Sequence, residues 1–289
     1  MTNIDVANSK KAKEKEEKYE HLLQQASSGE RPVVLVNACT HGHETVGVCV
    51  IENMQKETFR RGTILYTIAN ERAKEKSVAF IESDLNRVFP GNSNGDYEER
   101  LAAKLHPIVE ACDIVFDIHS TNTTDPGEES MLIVTKLDEE TKNIIEMIAP
   151  PRVLVMECAR GNALISDAKI GIAFEYGRND HPETARRITR DIFRALSKLG
   201  MIENKDVSLD EMSVSKTRAY RVFATLPKTE GFILEKTIRN FHPLQKGEIV
   251  ARRGGETLRA ERGFIPILFG ENRYKDIFGF MAEEISTEK

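Results

Sequence analysis

His41 and Glu44 lie three residues apart in the stretch Thr40-His41-Gly42-His43-Glu44. An imidazole and a carboxylate at that spacing can grip one divalent metal from a single turn. The stretch follows an apolar run, Pro32-Val33-Val34-Leu35-Val36, which predicts a fully buried strand. It precedes Thr45-Val46-Gly47-Val48-Cys49-Val50-Ile51, which predicts the first turns of a helix. The pair therefore falls at the carboxyl end of a strand, where open α/β sheets bind their ligands. A second apolar run, Ile114-Val115-Phe116-Asp117-Ile118, delivers His119 at its own carboxyl end. His41, Glu44 and His119 make a His-Glu-His set, the kind that often holds catalytic zinc with one position left for water. Such an ion lowers the pKa of its water and polarises a carbonyl. HxxE alone is a weak signal and is readily a chance pair in a polar loop; the two strand ends favour the metal. His43, beside these residues, should point elsewhere.

Three further groups could join this chemistry. Asp117 precedes His119 by two. It either orients a ligand imidazole or bonds backbone amides at the strand end. Glu175 closes the run Gly171-Ile172-Ala173-Phe174-Glu175. Partial desolvation there raises a carboxyl pKa toward the range of a general base, unless Glu175 simply pairs with Arg178. In Asp84-Leu85-Asn86-Arg87, an amide beside a guanidinium suits a substrate carboxylate. The alternative is a surface turn in which Asp84 and Arg87 pair with each other. His21, His106, His181 and His242 have no such context and are read as structural or exposed.

The elements that must position these groups alternate along the chain. A charged helix is expected over residues 9–25, with Tyr19, Leu22 and Leu23 as its few apolar contacts. Strands are expected at Val33–Val36, Thr63–Ala69, Ile114–Ile118, Met131–Thr135, Arg152–Met156 and Ile170–Glu175. Helices are expected after Thr45, from Tyr97 to Cys112 with a kink at Pro107, at Glu139–Ile148 and from Pro182 to Leu199. The alternation predicts an α/β fold with a mostly parallel or mixed sheet and helices on both faces. Beyond about residue 204 the pattern changes to short strands, at Arg218–Ala224, Gly231–Leu234, Glu248–Ala251 and Pro266–Phe269, which predicts a small C-terminal β domain. The division expected is 1–203 for the catalytic domain and 204–289 for a β-rich domain that narrows its cleft.

With 289 residues and a net charge of −5, the chain has no concentrated basic face, which argues against nucleic acid as a partner. No apolar stretch predicts a signal peptide or a membrane span. Cys39, Cys49, Cys112 and Cys158 show no CxxC pairing, so a cytoplasmic location is expected.

Taken in order, Thr-His-Gly-His-Glu, Asp-Leu-Asn-Arg, Asp-Ile-His and Phe-Glu-Tyr-Gly resemble the motifs of the succinylglutamate desuccinylase and aspartoacylase family, which is zinc carboxypeptidase-like. The likeness covers roughly Val33 to Gly177, and the β-rich end agrees with the family's accessory domain. The resemblance implies one zinc ion per subunit on His41, Glu44 and His119. It implies Glu175 as the catalytic glutamate that activates water and protonates the leaving amine. It implies Asn86 and Arg87 facing a substrate carboxylate, and Tyr274 as a substrate-facing tyrosine from the carboxyl-terminal region. The expected reaction is hydrolysis of the amide in a small N-acyl amino acid or related compound. A homodimer would suit an enzyme of this class.

Two departures are visible. The segment Ser77-Val78-Ala79-Phe80-Ile81 lacks the arginine that aspartoacylases carry a few residues before Asp-Leu-Asn-Arg. The segment 163–169 lacks a second arginine that grips a substrate carboxylate, a role left to Lys169 or Arg160. A substrate with two carboxylates is therefore disfavoured. The rival readings are a metallocarboxypeptidase acting on peptides and a zinc- or ligand-binding protein whose catalysis has decayed.

Overall fold

The computed structural model describes residues 3–121, 130–157, 162–203 and 217–286. Cys158 and Arg160 lie outside them.

The amino-terminal helix α1 (Asn3–Ser28) is longer than its charge pattern predicts. Among its described side chains, Leu22 and Ala26 are buried, and Tyr19 and Leu23 pack beside them. Strand β1 (Val33–Ala38) is buried at every residue, as its unbroken apolar run requires. Helix α2 (Val46–Met54) follows, with Val46, Val50, Ile51 and Met54 on its inner face. Next come β2 (Thr63–Ile68) and a short helix α3 (Glu71–Glu75) that the sequence pattern does not signal. Leu85–Arg87 forms a single 3-10 turn. Helix α4 (Tyr97–Ala111) starts on a capping box, Asp96 with Glu99, and continues past Pro107 to Ala111. Strand β3 (Ile114–His119), β4 (Met131–Val134), α5 (Glu139–Ile148), β5 (Arg152–Val155), β6 (Gly171–Glu175) and α6 (Pro182–Lys198) complete the alternating part. Six strands follow: β7 (Arg218–Pro227), β8 (Ile233–Leu234), β9 (Ile249–Arg253), β10 (Glu256–Arg259), β11 (Ile265–Ile267) and β12 (Ile277–Ile285).

Nine strands form one sheet in the order β11-β12-β7-β5-β4-β6-β3-β1-β2. It is mostly parallel, with β4 antiparallel to β6 and the β7, β12, β11 edge antiparallel. On the far side of the 203/204 boundary, β7 pairs parallel with β5 and so continues this sheet, while β8, β9 and β10 form a separate antiparallel sheet. The expected α/β fold with a mostly parallel sheet and a small antiparallel sheet near the carboxyl end is therefore present.

Helices cover both faces. On one face α2, α5 and α6 pack over Val34, Val36, Phe116, Ile118, Ile172 and Phe174. On the other, α1 and α4 pack over Val33, Leu35, Val115 and Ala173. Alternation along a strand then fixes the site. Asp117 and His119 share the face of Val115, and Glu175 shares the face of Ala173. Farther along the same face, a third apolar cluster gathers Met131, Leu154, Met156, Leu268 and Phe280. Ile133 packs against both this cluster and the one beneath α1 and α4.

Candidate active site

The chain leaves β1 through Cys39, whose φ of 57° places it in the left-handed region. This sharp turn sends residues 40–44 over the carboxyl end of the sheet. Gly42 is required there, because a Cβ would run into the backbone of Ala73 and Lys74. Gly47 is required one turn later, since its Cβ would lie 2.7 Å from that of Ala38 as α2 crosses β1. Asn179, far along the chain, clamps the loop: its Oδ1 accepts from Val46 N at 2.8 Å and its Nδ2 donates to the His43 carbonyl at 2.9 Å. It supplies the N-terminal cap that Thr45 does not make to α2.

The loop and β3 bring His41, Glu44 and His119 together, with one donor atom from each within 4.8 Å of the others. Glu44 lies between the rings, its Oε1 3.3 Å from His41 Nδ1 and its Oε2 2.8 Å from His119 Nδ1. The opposite nitrogens are each taken by another carboxylate. His41 Nε2 lies 3.1 Å from Asp84 Oδ1, and His119 Nε2 lies 2.8 Å from Asp117 Oδ2. Asp117 is held in turn by Asn37 Nδ2 at 2.7 Å and Thr40 Oγ1 at 2.8 Å. Both imidazoles thus offer Nδ1 toward Glu44 while a carboxylate fixes the outer edge of the ring. That is how proteins orient metal-binding histidines, and two imidazoles with one carboxylate are a donor set that suits a divalent metal. Of the two roles open to Asp117, orienting the ring is the one its contacts match.

The electrostatics agree. Burial by itself would lower the His41 pKa, but its hydrogen bonds to Asp84 and Glu44 outweigh it and raise it to about 9. Burial likewise opposes charge on His119, yet Asp117 and Glu44 hold it well above its ordinary value. Burial would raise Glu44, and the flanking imidazoles bring it down instead. Three carboxylates around two imidazoles favour a positive charge at their centre, from protons or from a metal ion.

Glu175 stands beside His119 as its register partner on the adjacent strand. Burial raises its pKa, opposed by His119 and Arg273 and assisted by Glu44. It does not pair with Arg178, whose guanidinium is bound to Asp180 at 2.8 Å.

A cavity of about 590 Å³ opens over these groups, and Asn86, Arg87 and Tyr274 line it with His41, Glu44, His119 and Glu175. Leu85 is buried in the core beneath α1 and α4, which turns its neighbours toward the cavity. Asn86 uses Oδ1 to accept from Leu164 N at 3.1 Å, tying this turn to the segment that carries Ala163 and Ile165 on the cavity wall. Asp84 and Arg87 do not make the closed pair that a surface turn would hold; Asp84 faces His41. His43 stays out of the His-Glu-His group but lines the cavity. Lys169 sits 3.9 Å from Asp113 and not on the cavity wall.

Three contributors escape a reading of the sequence. Arg273 lines the cavity and donates to the Thr121 carbonyl at 3.2 Å. Its one signal is its place next to Tyr274. Glu98, fully buried at the start of α4, accepts from Ile81 N, Glu82 N and Ser83 N at 2.7, 3.0 and 3.2 Å and so holds the segment that delivers Asp84. Asn179 is the third, and nothing local marks it.

Residues 30–196 match the model of the succinylglutamate desuccinylase/aspartoacylase catalytic domain. The chain belongs to this family. Within it, the chain is 27% identical over 175 residues to an N-acyl-aromatic-L-amino acid amidohydrolase (carboxylate-forming) of Danio rerio, a match covering 51% of this chain and 55% of that protein. The chain thus spans about half the length of this zebrafish relative. A succinylglutamate desuccinylase from Shewanella sp. (strain MR-7) is 22% identical over 272 residues, covering 82% of this chain and 77% of that one. Among solved structures, murine aminoacylase 3 superposes with a TM-score of 0.69 at 19% identity, over 88% of this chain and 95% of that one. The fold is therefore that of the family.

Proposed function

We propose that this family member hydrolyses the amide bond of a small N-acyl amino acid, using one zinc ion held by His41, Glu44 and His119. The observation that carries the reading is that Glu175 is adjacent to His119 in sheet register and opens on the same cavity as the His-Glu-His group. The two relatives named above are an amidohydrolase of N-acyl-aromatic amino acids and a desuccinylase of succinylglutamate, compounds that share an acylated amino acid amide.

A bound zinc ion would supply Lewis acidity toward the carbonyl and make water more acidic. The protein's own groups divide the rest. Glu175 takes a proton from the attacking water and returns it to the leaving nitrogen. Its burial favours holding that proton between the two steps. Arg87 and Arg273 bind the substrate carboxylate, and Tyr274 supports it from the same side of the cavity. Asp84 and Asp117 keep both ligand rings in place. A site that needs only ligand binding has no use for a buried carboxylate beside the metal ligands, which is why hydrolysis is preferred to a binding role.

The test is to count zinc in purified protein and assay a panel of N-acyl amino acids. Hydrolysis should vanish with a chelator and return with zinc. His41→Ala or Glu44→Ala should lower zinc content to background. Unchanged zinc in those variants would refute the ligand assignment.

A further inference from the structure

The cavity changes character across the sheet. At one end, β3 and β6 supply His119 and Glu175. Beyond them, Ile133 on β4 lies opposite Ala173 in register, and Met156 follows β5. Leu268 just past β11, Phe280 on β12 and Ile165 complete this apolar lining. These side chains belong to the two apolar clusters that meet at Ile133.

The cations are gathered elsewhere. Among the described residues, Arg87 and Arg273 are the arginine or lysine side chains on the cavity wall. Both act electrostatically on Tyr274, Arg273 also on Glu175, and Arg87 also on Asp84. Arg87 lies in the turn whose Asp84 faces His41, and Arg273 donates to the Thr121 carbonyl two residues past His119, which sets both at the metal end, while Tyr274 bridges to the apolar side by stacking edge-on against Phe280 at 5.6 Å. A carboxylate placed over Ile133 and Met156 would be desolvated with no described cation beside it. An apolar group in the same place would gain by leaving water.

Building on the amidohydrolase reading, we propose that the substrate carries one carboxylate, held at the Arg87 and Arg273 end, and one apolar group, seated against Ile133, Met156, Ile165, Leu268 and Phe280. The apolar group can be the amino acid side chain or the acyl chain, and the two are separated by experiment.

The experiment uses zinc-loaded Glu175→Gln, which should bind without turnover, and titration calorimetry. One arm compares N-acetyl-L-leucine with N-acetyl-L-aspartate. The other compares N-hexanoylglycine with N-succinylglycine. In at least one arm the apolar compound should bind about 10-fold or more tightly than its acidic counterpart, the gain expected from burying an aliphatic chain. The arm that responds identifies which end of the substrate is apolar. Met156→Lys should reverse the order in that arm. If that variant loses zinc, the milder Met156→Gln should still shrink the ratio. Equal or tighter binding of the acidic compound in both arms overturns the proposal. Failure of the wild-type enzyme to hydrolyse any of the compounds, with the apolar preference intact, would instead reject the reaction and leave the pocket assignment standing.

Discussion

His119 and Glu175 are paired in register on the adjacent parallel strands β3 and β6. Paired residues on neighbouring strands point to the same face, with backbones about 4.8 Å apart. The imidazole proposed to bind metal and the carboxylate proposed to carry the proton are thereby fixed side by side by the sheet itself. Replacing Glu175 by Gln should leave zinc bound and lower kcat by about 100-fold or more, the range for loss of a general base. Metal analysis with steady-state kinetics checks this. Near-normal turnover would reject the base.

The outer carboxylates act through the rings they hold. Asp117→Asn and Asp84→Asn should each weaken zinc binding by about 10- to 100-fold, because a poorly oriented imidazole is a poorer ligand. Asp117→Asn should be the more severe, since Asp117 is buried and also anchors Asn37 and Thr40. Competition against a chromophoric chelator measures both. Unaltered affinity in both would show that ring orientation comes from elsewhere.

Stability without metal should depend on pH in a definite direction. The His41 pKa is raised in the folded protein, from 6.5 to about 9. A raised value means that its contribution is fully present below about pH 6.5 and is lost as the pH climbs through about 9. A metal ion held by His41 would exclude that proton, so the loaded protein should lose less over this window. Urea unfolding at pH 6, 7.5 and 9, with and without zinc, provides the comparison. A metal-free protein equally stable at all three would contradict it.

Glu98 tests whether the segment before Asp84 is held from below. Its carboxylate accepts from three consecutive backbone amides and from Asn70 Nδ2 at 3.0 Å. Glu98→Ala strands those donors and should cost about 3 kcal/mol. Because Asp84 and Arg87 ride on that segment, KM should rise as well. Denaturant midpoints and kinetics on one preparation answer both, and a stability change below about 0.5 kcal/mol would discount the clamp.

Asn179→Ala removes the bridge between the metal loop and the segment after β6. Zinc affinity should fall by about 10-fold while the fold survives, since the loss is one cap and two loop contacts. Circular dichroism with metal titration separates the two effects.

The local chemistry was legible because it is written in contiguous residues. His41 with Glu44, Asp117 with His119, and Glu175 each follow an apolar run that fixes a strand and hence a strand end. Period and caps placed α2, α4, α5 and α6 for the same reason. β12 escaped because Gly279 and the acidic pair Glu283 and Glu284 break its alternation, and β10 because four residues give a period too little length. The charge state of a turn was equally hidden. Asp84 had Arg87 three residues away, yet its carboxylate faces His41, forty-three positions distant.

The sequence alone determined which residue types stand at the ends of which strands, because burial of a strand is a property of its own side chains. Strand order was decided only in three dimensions. Hydrogen bonding between strands is blind to chain position, so β7 could extend the main sheet at β5 while β8, β9 and β10 paired among themselves. That order set β4 and β5 beside the metal end and made the far wall apolar. It also brought Arg273 to Thr121 and Asn179 to the loop after β1, each more than a hundred residues away in the chain, contacts that no local pattern can encode.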